Sequence, residues 1–173
     1  MLKHRGFLFM IFILFIAISI PTNAHCAEPI KIKGFFIGMN IDDALKNFER
    51  LGFEGLEIRE TIITQTKKYY TIRQTHFEVK TGVKDKTVSK IIFSSKMSDR
   101  LFNTKGISAI IFKEFFMEAY GILEMVPYKD NPGIDSIKGW EVYIIEDGYR
   151  IRIYLNKDVE IIKTDRVSDF SFD

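Results

Sequence analysis

The stretch Trp140-Glu141-Val142-Tyr143-Ile144-Ile145-Glu146-Asp147-Gly148-Tyr149-Arg150-Ile151-Arg152-Ile153-Tyr154-Leu155 decides the fold class. Trp140, Val142 and Ile144 alternate with other positions, and Glu146-Asp147-Gly148 supplies a turn. Tyr149, Ile151, Ile153 and Leu155 then alternate against Arg150, Arg152, Tyr154 and Asn156. A period of two with one apolar and one polar side marks an antiparallel hairpin that buries one face and wets the other. Asn156-Lys157-Asp158 turns the chain again into Val159 to Lys163, so a three-stranded meander is expected.

N-terminal to this meander, two segments change to helical period. In the first, Ile41, Ala44, Leu45, Phe48 and Leu51 share one face, Asn40 is placed to cap, Asp42 and Asp43 suit the positive helix start, and Gly52 stops it. The second runs from Ser108 to Tyr120 with Ile111, Phe112, Phe115, Phe116 and Ala119 as its apolar face, and Gly121 after it. Ile30 to Phe36 reads as a strand or an extended lead-in. Leu56 to Ile63, Tyr69 to Val79 and Val88 to Ser94 read as strands, the middle one changing phase at a bulge or break near Gln74-Thr75. The fold class is therefore α+β, two helices on antiparallel sheet. The repeated order allows two tandem αβββ units, 27–103 and 104–173, or a single domain over 27–173.

The chain starts differently. Lys3, His4 and Arg5 precede an uncharged, almost wholly apolar run from Phe7 to Ile20, closed by Pro21. As a helix that run is about 21 Å long, short of a bilayer core of about 30 Å, which suits a signal peptide over residues 1–26. Thr22 and Ala24 fit cleavage before His25, and Ala24 and Cys26 fit cleavage before Ala27. The expected location is periplasmic or secreted. An uncleaved signal or a lipidated Cys26 would instead anchor the same domain to the membrane, facing the periplasm.

Lys3 and Arg5 are the only formal charges before Ala27, so the remainder carries 23 basic and 23 acidic residues. A neutral domain offers no general electrostatic reason to bind nucleic acid. Only His76 remains of the three histidines, and it reads as a solvated strand residue; with one histidine and no later cysteine, neither a zinc site nor thiol chemistry is expected. There is no Gly-x-Ser-x-Gly, His-Glu-x-x-His or Gly-rich phosphate loop. No catalytic residue, metal ligand set or cofactor is expected. The candidate binding residues are Arg150, Arg152 and Tyr154 on the wet side of the hairpin, with residue types that anchor interfaces. To them are added Met125, Tyr128 and Ile134 in the long loop from Leu123 to Lys138, which either make contacts or pin that loop to the domain.

Ile37-Gly38-Met39-Asn40, followed by Ala44, Phe48 and Leu51-Gly52, resembles the Gly-Met-(Ser/Thr/Asn) helix opening of small bacterial envelope domains. These are the SmpA/OmlA-type outer-membrane assembly lipoproteins and the β-lactamase-inhibitor proteins. The chain differs from the lipoproteins in lacking a lipobox, in having Phe53 where a proline is usual, and in carrying a second αβ unit. The resemblance implies a non-catalytic α+β module that binds another envelope protein. The alternatives are a small periplasmic hydrolase working with two carboxylates and a membrane-tethered structural protein.

Overall fold

The computed structural model describes residues 29–83, 85–129, 136–145 and 147–164. The signal-like segment with Cys26, Ile134 and the Asn131-Pro132-Gly133 sequence lie outside them. Eight strands form one antiparallel sheet: β1 Glu57–Thr64, β2 Lys67–Gln74, β3 Phe77–Thr81, β4 Val88–Phe93, β5 Val126–Tyr128, β6 Gly139–Ile144, β7 Tyr149–Tyr154 and β8 Val159–Lys163. Their order across the sheet is β1-β2-β3-β4-β8-β7-β6-β5. Three helices, α1 Ile41–Arg50, α2 Ser95–Phe102 and α3 Ala109–Tyr120, complete an α+β architecture. Each half of the chain ends in a four-stranded meander, and the last strands of the two, β4 and β8, pair along the middle.

The capping signals act as the side-chain chemistry requires. The Asn40 side-chain oxygen accepts from the Asp42 N–H at 2.9 Å, and Gly52 takes φ 71° after the last turn of α1. Ser108 Oγ accepts from the Ile111 N–H at 3.3 Å, and Gly121 closes α3 at φ 65°.

Several expectations are corrected. Each half has four strands after its helices, where three were expected. Of the bulge or break expected near Gln74-Thr75 in Tyr69 to Val79, the structure has the break: Gln74 pairs with Phe77, so two strands replace one, Thr75-His76 is a hairpin turn, and the phase change marks a reversal of direction. His76 accordingly sits in a turn. Ile30 to Phe36 is folded tightly, with Ile32 and Phe35 exchanging main-chain hydrogen bonds of 2.8 and 3.0 Å around Lys33 and Gly34, both at positive φ. Helix α2 occupies a segment for which no element was expected, and strand β5 lies inside the expected loop Leu123 to Lys138. Leu155 lies beyond the end of β7 and is exposed, because the turn to Asp158 begins there. On α3 only Phe112 and Phe116 are fully buried. Ile111 is 57% and Phe115 42% exposed, and Ala119 is exposed too, since the buried stripe is narrower than the run of apolar residues.

The helices cover one face of the sheet. Phe77, Val79, Ile91, Phe93, Val159, Ile161, Ile151 and Ile153 are aligned there by register and are all buried. The Phe77 ring meets Phe35, Phe48 and Phe93 at centroid distances of 4.8, 4.7 and 5.8 Å. Phe102 of α2 carries this aromatic packing onward, lying 6.0 Å from Phe93 and 5.8 Å from both Phe112 and Phe116. One core thus runs beneath both meanders.

Candidate functional site

No described helix covers the other face of the sheet. Strand alternation sends Arg150, Arg152 and Tyr154 to it, opposite buried Tyr149, Ile151 and Ile153. Register then assembles two rows that cross the sheet from β6 to β1. The first is Glu141, Arg152, Glu160, Ile92, Glu78, Arg73 and Glu57. The second is Tyr143, Arg150, Ile162, Lys90, Lys80, Thr71 and Arg59. The first row sets an arginine between acids at each end, with Ile92 between Glu160 and Glu78 at its centre, whereas every charge in the second is positive.

Carboxylates in the first row are held by cations on both sides or from the second row. Arg152 Nε donates to Glu141 Oε2 at 2.7 Å, and Arg150 Nε lies 3.9 Å from the same oxygen. Lys90 Nζ is 2.5 Å from Glu160 Oε1, and the Tyr154 hydroxyl donates to Glu160 Oε2 at 3.1 Å. Arg73 and Lys80 reach Glu78 at 2.8 and 3.1 Å, and Arg59 pairs with Glu57. Pairs on one half-buried face fix side-chain positions more than they add stability.

Three of the sequence-predicted residues meet here. The Arg152 guanidinium lies 3.7 Å from the Tyr128 ring centroid, and the rings of Tyr128 and Tyr154 meet edge to face at 6.1 Å. Arg150 stacks on Tyr143 at 5.6 Å and donates to its hydroxyl at 3.2 Å. Two features create this cluster: the three-residue strand β5, which delivers Tyr128, and Gly139, whose place opposite Tyr154 lets β6 and β7 close. Met125 does not join it. It is buried in the core, so it pins the segment and makes no surface contact.

Near the β3–β4 connection the same face sinks into a hollow of about 720 Å³, bordered by Tyr69, Lys80, Lys90, Ile162, Lys163 and Asp85. Asp85 accepts from the Thr87 hydroxyl at 2.6 Å and from its N–H at 3.1 Å, which holds its pKa below the ordinary aspartate value. Sequence reasoning missed these lysines because Lys80 and Lys90, opposite each other across β3 and β4, meet Lys163 only when β4 pairs with the distant β8. His76 lines a separate hollow of about 180 Å³ with Arg73, Glu78 and Asp158. Among the described residues no three His, Cys, Asp or Glu side chains gather in a metal-binding group.

Burial alone would raise the Glu160 pKa, but Lys90, Tyr154 and Arg152 outweigh it and hold the carboxyl below its usual value. Desolvation and the neighbouring Glu160 carboxylate raise the Tyr154 hydroxyl. A carboxyl depressed in the folded state contributes stability above its unfolded pKa, and that contribution is lost as pH falls through the folded value. The melting temperature should therefore drop on acidification below the usual glutamate range. Glu160→Gln should flatten that drop in thermal melts between about pH 6 and about pH 3, and equal slopes would count against this role.

No described helix is long and apolar enough to cross a membrane. Comparison of the chain with family models, with curated proteins and with solved structures finds no match.

Proposed function

We propose that this is an exported bacterial envelope protein, periplasmic or secreted, that binds another envelope protein through the open face of its sheet. The observation that carries the reading is that face itself: a broad surface that no described helix covers, with an Arg–Tyr cluster at one end and, over its two rows, six cations against four acids. Arg and Tyr are the side chains that anchor interfaces, and here they are held by neighbours before any partner arrives. The surface fits an acidic partner segment carrying an aromatic or aliphatic residue for the Ile92 and Ile162 positions. The order of helices then four strands, met twice, supports two tandem αβ units, as the resemblance to the inhibitor proteins implies, with both units contributing to one face. The alternative, a hydrolase working with two carboxylates, needs one of them held protonated, and the Glu160 carboxyl on this face is shifted the other way.

A photo-crosslinking residue placed at Tyr154 or Tyr128 in the full chain, expressed in a bacterium, should give a discrete adduct with an envelope protein. One at exposed Glu114 on α3 should not, and Arg152→Glu should abolish the adduct. Equal labelling from both surfaces would overturn the reading. Export is checked on the same material. The protein should lie in the periplasmic fraction with its N-terminus at His25 or Ala27. Intact Met1 in the cytosol would refute export, and an acylated Cys26 would make the protein membrane-anchored.

A further inference from the structure

The two edges of the sheet are built differently. β5 is three residues long and contains Pro127, the kind of edge that discourages pairing. β1 is eight residues long, contains no proline, pairs only with β2 among the described residues, and exposes Ile58 (56%) and Ile62 (71%).

The direction of its unpaired main-chain groups follows from β2. The Tyr70 N–H donates to Thr81 Oγ1 on β3, 2.8 Å away, so Tyr70 turns its main chain towards β3. Glu60, directly opposite Tyr70 on β1, is therefore in a non-hydrogen-bonded pair with it and turns its own N–H and C=O outward. Ile58 and Ile62, two residues either way, do the same. The irregularity in pairing falls after Ile62, beyond this row.

We propose that β1 is a self-association edge that pairs antiparallel with β1 of a second copy about a two-fold axis at Glu60. The row Ile58–Glu60–Ile62 reads the same in both directions, so this register sets each Ile58 opposite the other copy's Ile62 and gathers four isoleucines. It also lets the outward groups of the three residues exchange about six main-chain hydrogen bonds. The apposed Glu60 carboxylates do not oppose the register. Each is already paired with Lys68 at 2.8 Å, which lowers the Glu60 pKa and raises that of Lys68, so the axis carries two acids and two cations. An isologous contact of this kind closes on itself and joins two eight-stranded sheets into one.

Sedimentation equilibrium of the purified full-chain product should show a monomer–dimer equilibrium. Glu60→Pro removes an outward N–H without touching the β1–β2 ladder, and should weaken the dimer about 30-fold. Ile62→Lys should do so at least as strongly, with melting temperature and circular dichroism retained in both. In a Cys26→Ser background, Glu60→Cys should form an intermolecular disulfide on oxidation, because a hydrogen-bonded pair brings Cα atoms to about 5.5 Å. Thr64→Cys should not. A monomer at every concentration would overturn the proposal. So would a dimer indifferent to Ile62→Lys with no Glu60→Cys crosslink, which would place the contact elsewhere, for instance on the exposed Ile111 and Phe115 of α3.

Discussion

Ile151→Asp is expected to leave the protein largely unfolded at room temperature, while Arg150→Ala, one residue away, leaves it folded. Ile151 is fully buried on the helix-covered face, between Val142 of β6 and Ile161 of β8. Truncating a buried isoleucine costs about 2–5 kcal/mol, and an unpaired carboxylate in its place adds a desolvation penalty. The total should reach at least ~4 kcal/mol, a large part of the ~5–15 kcal/mol that holds a domain together. Arg150 lies on the open face, and its loss leaves Glu141 paired with Arg152, so the change should stay within ~1 kcal/mol. Urea titration followed by circular dichroism measures both. Comparable losses would mean that the two faces of β7 had been assigned the wrong way round.

Gly139→Ala is expected to be the most damaging single methyl group in the second meander. An ideal Cβ at Gly139 would lie 2.1 Å from the Ile153 carbonyl oxygen and 2.8 Å from the Tyr154 Cα. Both are main-chain atoms of the neighbouring strand, so no rotamer change relieves the overlap, and β6 must move away from β7. Overpacking usually costs about 1–3 kcal/mol, and a backbone clash belongs at the upper end. Because β5 is paired to β6 and moves with it, Tyr128 should lose its stacking on Arg152, so photo-crosslinking from Tyr128 should fall even in protein that remains folded. A variant with normal stability and normal crosslinking would show that the strands are not closed as tightly as described.

How much of this was legible in the residues depends on range. The ends of α1 and α3 were readable because Asn40, Gly52, Ser108 and Gly121 act within one helical turn, and the β6–β7 hairpin was readable because its alternation is uninterrupted. The Thr75-His76 turn was not, since neither residue takes a positive φ and the glycine or asparagine that marks most two-residue hairpins is missing. Helix α2 is only eight residues long and its cap position, Ser94, closes the apparent strand Val88 to Ser94, so Met97, Leu101 and Phe102 showed too few helical turns to stand out. Of the candidate site, Arg150, Arg152 and Tyr154 follow from alternation alone. Tyr128 joins them only through β5–β6 pairing, and Lys80 and Lys90 only through β4 meeting β8 some seventy positions later.

That central seam also sets an order of events in time. β8 is the last described strand to leave the ribosome, yet it occupies the middle of the finished sheet and is the partner that β4 waits for. Until residues 159–163 are available the first meander has an open inner edge and half of a core, so it cannot mature during synthesis. Contacts this distant in the chain slow folding and lengthen the life of sticky intermediates. A nascent chain that stays loose until its eighth strand appears exposes apolar surface throughout its synthesis, and depends for that time on whatever guards it.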